Sequence, residues 1–273
     1  MRFGEWNKHV ILWALLAGGA AACPAAQAAT QLNTAPAGNS GSVNAPRIPR
    51  TPDADSASEA DPLEPLNRGI YQFNYVFDGV LLKPMTLIYQ GVVPEQGQVM
   101  VSHFLENIYT PVVFVNSVLQ GDPKNTFRTL CRFVINTTLG IGGLFDVASD
   151  MGIRNRPADF GETLAFWGAG PGPYIELPIA GPSDLRDAFG RLGDAFMTPT
   201  NYAKNAVWIS VWAATAIDER SKNMELLDGI YSSSLDPYAT LRSAYIQKRA
   251  SDIRRGKIAR DKAWTFCTER HPQ

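Results

Sequence analysis

Cys131 with His103 is the pairing in this chain that could act as a nucleophile and its base. Both residues lie on apolar-patterned helical stretches, where a cysteine and a histidine serve as core residues. Neither His103 nor His271 stands at metal-ligand spacing from another His, Cys or carboxylate, so a histidine-based metal site is not expected. The chain has no G-x-S-x-G elbow, Walker A sequence or G-x-G-x-x-G. Gly140, Gly142 and Gly143 come near the last pattern but follow a helix rather than a strand, and they read as a hinge or corner. No catalytic residue, cofactor or metal is expected.

The charged clusters read as structural. Asp184, Arg186 and Asp187 fall in the first turn of a helix that Ser183 is expected to cap, where acidic residues complement the helix dipole. Glu64 and Arg68, four apart, make a helix-surface pair. Lys248, Arg249, Arg254, Arg255, Lys257, Arg260 and Lys262 against Asp252 and Asp261 make a basic stretch near the C-terminus. It is either a solvated helix end or a surface for acidic headgroups or an acidic partner.

The elements that must position these residues are short helices. Four starts share one form, an Asp or Thr followed by proline: Asp61-Pro62, Thr110-Pro111, Asp122-Pro123 and Asp236-Pro237. Ile70, Phe73, Phe77 and Leu81 form one apolar stripe. Phe127, Leu130, Cys131, Val134, Ile135 and Thr138 form another that ends at Gly140, and both predict helices packed on neighbours. Asp159 and Glu162 form a capping box for a helix ending near Gly168, and the Ser183 helix runs to about Phe196. Tyr174–Ile179 is the plausible strand, confined by Pro178 to an edge or a hairpin.

Ala206–Ile217, AVWISVWAATAI, is the most lipophilic stretch of the mature chain. As a helix it is roughly 18 Å long, short of the roughly 30 Å hydrocarbon core of a bilayer. Trp208 and Trp212 share one face. Two readings stand: a helix at the membrane interface, or a buried core helix.

At the N-terminus, Arg2 and Lys8 precede an apolar run that is too short to span, which predicts a secretory signal peptide over 1–28. The sequence before Cys23 is a weak lipobox, so lipidation of Cys23 competes with cleavage after Ala28. Residues 29–60 form a low-complexity tether with scarcely a large apolar residue. Residues 61–261 hold the helical domain, and 262–273 a polar tail. Of 273 residues 45 % are hydrophobic, enough for a core, and a net charge of −1 gives no signal for binding nucleic acid. Cys131 and Cys267 are expected unpaired.

DPLEPLNR at 61–68, RFVINTTLGIGGLFDVA at 132–148, DFGETLAFWGAGPGPYIELPIAGPSDLRD at 159–187 and DPYATLRSAY at 236–245 occur in that order. Together they resemble the MlaA/VacJ family, with Leu66 standing where the family usually has Phe. The resemblance implies a mainly α, single ring-like domain of short amphipathic helices with Gly/Pro-rich corners and at most a small β-hairpin. It further implies a lipoprotein in the inner, periplasmic leaflet of the outer membrane. Mislocalised phospholipid would leave the outer leaflet through an amphipathic channel and pass to a soluble periplasmic carrier, with a porin trimer as membrane partner. Gly140, Gly142, Gly143, Gly170 and Gly172 are then candidate corners of the lipid path, and Trp208 and Trp212 candidates for the membrane interface. The alternative is a structural envelope lipoprotein that tethers a porin or the cell wall. A lipid or peptide hydrolase is disfavoured because no catalytic constellation exists.

Overall fold

The computed structural model describes residues 61–269. The expectations for the signal peptide, Cys23, the tether and the Cys267 side chain lie outside it.

The chain runs α1 (Glu64–Phe77), a π-helical turn (Asp78–Leu82), α2 (Lys83–Val92), α3 (Glu95–Leu119), α4 (Pro123–Thr138), α5 (Val147–Asp150) and α6 (Phe160–Phe166). A hairpin follows, β1 (Tyr174–Leu177) and β2 (Gly181–Asp184). After it come α7 (Leu185–Met197), a 3-10 turn (Pro199–Tyr202), α8 (Asn205–Lys222), α9 (Met224–Ser233) and α10 (Pro237–Glu269). The mainly α class with one small antiparallel hairpin is as expected.

Local caps explain several of the helix starts. Asp122 accepts the Asn125 N–H with Pro123 at the first position of α4, and Asp159 accepts the Glu162 N–H at the start of α6. Asp236 does the same for Ala239 at the start of α10. Three starts differ from expectation. Helix α1 opens at Glu64 rather than Pro62, with no side-chain cap, because Asp61 accepts the Leu63 N–H in a turn ahead of the helix. Pro111 lies inside α3, where Thr110 donates to the Glu106 carbonyl and the helix continues without the bond that a proline cannot make. Asp184, not Ser183, caps α7: its carboxylate takes the Asp187 N–H, while Ser183 is still in β2, paired with Ile175.

The hairpin pairs Tyr174 with Asp184 and Leu177 with Gly181. The sequence of β2, Gly-Pro-Ser-Asp, is turn chemistry and carried no strand signal. Helix α6 packs on α7, α3 on α4 and α2 on α8, while α10 reaches α6, β2 and α9. Close to α10 lies a conventional core of Tyr174, Leu227, Tyr238, Leu241 and Tyr245. Its rings meet edge to face, Tyr174 at 6.2 Å from both Tyr238 and Tyr245.

Among the described residues no single helix is long and apolar enough to cross a membrane. The bent pair Glu64–Val92 and Glu95–Leu119, turned by 120°, has the length and composition together.

Candidate functional site

Both apolar stripes turn their larger part outward, contrary to the packing expected of them: Phe73 and Leu81 of the first and Phe127, Leu130 and Val134 of the second are exposed, while Ile70, Phe77, Cys131 and Ile135 are half-buried. On α4, Phe127 is 69 % exposed and Val134 51 %, with Leu130 exposed between them. The residues that α4 buries are Asn125, Thr129, Arg132 and Asn136, which follow the 3.6-residue period of the opposite face. Helix α1 repeats the inversion, exposing Leu66, Phe73 and Val76 while Asn67 is fully buried. Asp78 and Thr86 continue its buried line through the π-turn and α2. An amphipathic period shows that two faces differ, but not which one meets protein.

Buried polar groups are costly without hydrogen bonds, and here most are bonded, the Asn125 Oδ1 being an exception. Arg132 forks onto both oxygens of Asp146 and donates to Ser149 and to the Ile153 carbonyl, while Asn136 also reaches Asp146. Burial opposes ionisation of Asp146, but the bonds from Ser149, Arg132 and Asn136 overcome it and bring its pKa down to about 2. Arg220 forks onto Asp78 where the π-turn begins and also bonds Asp228, which Lys83 shares. Arg249 joins three elements, meeting Asp159 at 2.7 Å and also Asp187. Asp187 in turn accepts from Tyr245. The basic stretch is therefore partly internal: Arg249 is structural, Arg255 pairs with Asp252, and Arg260 lies over the Phe166 ring at 3.6 Å.

A second device was not foreseen. Asn67 donates to the Tyr174 carbonyl and accepts the Glu176 N–H; one helical double turn on, Asn74 donates to the Leu177 carbonyl and accepts the Ile179 N–H. Two side-chain amides of α1 thus complete the ladder along the open edge of β1. The seven-residue spacing of Asn67 and Asn74 was the available signal. Burial pushes the Glu176 carboxyl up to about 7, against bonds from Tyr174 and Asn74 that favour its charged form.

The glycines separate by cause. A Cβ on Gly140 would fall 2.3 Å from the Phe145 carbonyl oxygen, and one on Gly143 would fall 2.4 Å from Asn107 of α3. Gly142 and Gly172 hold positive φ, and a Cβ on Gly172 would touch Leu185 at 3.0 Å. Gly170 has neither constraint: no positive φ, and open space around it. Two β-branched residues are also held in the left-handed region, Ile141 at φ 52° in the first corner and Ile179 at φ 64° in the turn of the hairpin. Such strain persists only where surrounding structure imposes it, as Asn74 does on Ile179. A close helix crossing lies elsewhere, without a signal in the sequence: Gly190 of α7 lies where a Cβ would fall 2.5 Å from the Gly161 nitrogen of α6.

Trp208 and Trp212 are half-buried on α8, beside the exposed Val207 and Ile209. Cys131 is free and half-buried. Among the described residues no cluster of His, Cys, Asp and Glu is arranged to hold a metal.

The likenesses to known proteins agree with one another. Residues 59–252 match the model of the MlaA lipoprotein family. The intermembrane phospholipid transport system lipoprotein MlaA of Escherichia coli is 36 % identical over 186 residues, covering 67 % of this chain and 74 % of that one. Its counterpart in Haemophilus influenzae is 35 % identical over 202 residues, covering 72 % and 80 %. A solved structure described as the structural basis for maintenance of bacterial outer membrane lipid asymmetry superposes with a TM-score of 0.64 at 33 % identity. That likeness covers 71 % of this chain and 99 % of the other. With a family model matched over residues 59–252 and relatives above 30 % identity, the chain belongs to the MlaA lipoprotein family.

Proposed function

We propose that this protein sits in the periplasmic leaflet of the outer membrane and draws mislocalised phospholipid inward from the outer leaflet, maintaining lipid asymmetry. The lipid passes through an amphipathic passage in the helical body and is handed to a soluble periplasmic carrier, and a porin trimer holds the protein in place. The carrying observation is the inversion of α1 and α4, apolar outside and polar inside. In water that arrangement exposes what should be buried; in a hydrocarbon surround it is the favourable one. The names of the relatives and of the superposed structure support the same reading.

The task fits the residues. Moving a lipid breaks no covalent bond, so it needs no nucleophile or nucleotide; it needs an apolar exterior and an interior that tolerates a headgroup. The energy for direction comes from elsewhere in the system. Val207 and Ile209, with Trp208 and Trp212, are placed by this reading at the headgroup level, and the corners 139–144 and 168–173 beside the passage.

Deleting the chain from its cell should let phospholipid accumulate in the outer leaflet, measured by surface labelling of that leaflet. A cell that keeps its asymmetry without the protein rejects the proposal. Gly170 sharpens it, since a side chain there strains no backbone and meets open space. Gly170→Leu should leave the thermal midpoint unchanged and raise outer-leaflet phospholipid. If labelling stays at the wild-type level, Gly170 does not border the path.

A further inference from the structure

An open groove of about 410 Å³ runs between the outward face of α1 and the tip of the hairpin, walled by Pro65, Leu66, Gly69, Ile70, Phe73 and Pro178. Its volume lies within the roughly 300–1,000 Å³ typical of small-molecule sites. Every lining side chain is apolar. Of the polar residues in this part of α1, Asn67 and Asn74 are engaged with the hairpin backbone, and Arg68 is paired with Glu64 and Asp236.

Gly69 is the informative residue. It lies inside α1, where glycine is less favourable than alanine, its φ is not positive, and a Cβ built on it meets nothing within 4 Å. Neither backbone conformation nor packing requires glycine at this point. What a side chain would remove is groove volume.

We propose that this groove seats one acyl chain of a phospholipid from the surrounding leaflet, between α1 and the hairpin tip. The inference rests on the membrane-seated reading above. A wall of apolar side chains recognises hydrocarbon and offers nothing to a headgroup. The groove shares the outward face of α1 with the exposed Phe73 and Val76, so the chain enters sideways from the leaflet. The segment of this protein nearest in sequence, 29–60, has scarcely a large apolar side chain with which to fill it. Pro178 borders the groove next to Ile179, whose left-handed backbone Asn74 holds, so an occupant rests against the part of the hairpin under strain.

The test uses the full-length protein in vesicles of phosphatidylethanolamine and phosphatidylglycerol doped with a phospholipid carrying a photoactivatable diazirine near the end of one acyl chain. Labelled peptides are mapped by mass spectrometry. Label is expected on α1 between Leu66 and Phe73 and on the outward face of α4 between Phe127 and Val134. Gly69→Leu should lower the α1 label about tenfold, the equivalent of displacing one or two buried methylenes, and leave the α4 label and thermal midpoint unchanged. Leu66→Asp, on the exposed wall, carries the same expectation should Gly69→Leu not fold. Label on α4 without label on α1 overturns the groove and leaves the membrane reading standing, as when a second copy or another protein covers it. An α1 label indifferent to both substitutions also overturns it, because the lipid is then touching α1 without occupying the groove. Absence of label from both helices overturns the membrane reading and the groove together.

Discussion

The core beside α10 and the seam behind α4 obey opposite rules in one chain. Beside α10, Tyr174, Leu227, Tyr238, Leu241 and Tyr245 are buried as in a protein folded in water. Behind α4, Asn125, Thr129, Arg132 and Asn136 are buried while Phe127, Leu130 and Val134 are turned out. The first region needs only water to explain it, and the second is the pattern that the proposed membrane seat would produce. Helix faces are sorted by what surrounds them, so on the proposed reading the junction of the two regimes is where water gives way to hydrocarbon.

The comparison breaks most visibly at Arg132. Replacing it with Ala leaves Asp146 without its forked partner, an unpaired charge behind a helix, and should destabilise by about 3–5 kcal/mol in chemical denaturation. A loss below about 1 kcal/mol would mean that the seam is hydrated and is not the core of this half.

The pH dependence of the hairpin clamp is next in size. Glu176 has its folded pKa raised from 4.5 to about 7, so it binds its proton more tightly folded than unfolded. Its contribution is fully present below about 4.5 and is lost as pH rises to about 7. At about 1.4 kcal/mol for each pH unit, the loss is on the order of 3 kcal/mol. Asp146 runs the other way: its pKa is lowered from 3.8, so its stabilisation is present above 3.8 and lost as pH falls to about 2. In thermal melts between pH 5 and 8, Glu176→Gln should flatten part of the decline of the wild-type protein. Parallel curves would show that Glu176 does not carry it.

The smallest expected effect is on the outward face. Phe127→Asp should change stability in detergent by no more than about 0.5 kcal/mol, as surface substitutions do, yet weaken membrane association in a flotation assay. A loss of several kcal/mol would put Phe127 in a protein core after all.

What the sequence made legible follows the same division. Helix starts were readable wherever a cap acts locally, as at Asp122, Asp159 and Asp236, because the bond spans three residues. Tyr174–Leu177 was readable from its β-branched and aromatic content, whereas Gly181–Asp184 is a strand only because Tyr174–Leu177 pairs with it. Thr110-Pro111 misled, since a proline that opens helices elsewhere in this chain is here carried inside one by tertiary packing. The stripe on α4 was found, but its direction was not: Phe127, Leu130 and Val134 have the same spacing whether they meet protein or lipid. At the candidate site, the corner glycines were visible as a group, while their separate causes required the coordinates of Asn107, Phe145 and Leu185. Asn67 and Asn74, apart from their spacing, are silent in the sequence, because two asparagines on a helix carry no chemistry until the open edge of β1 is placed beside them.

The central claim, that the outward face of α4 lies in hydrocarbon, is tested most directly by a nitroxide at Val134→Cys in the protein reconstituted in vesicles, its native cysteines replaced. Collision with oxygen, which concentrates in lipid, is compared with collision with a water-soluble nickel chelate. The account predicts strong oxygen contact and weak nickel contact at position 134, reversed for a nitroxide at Arg255→Cys on α10. Equal and strong nickel contact at both positions would contradict it.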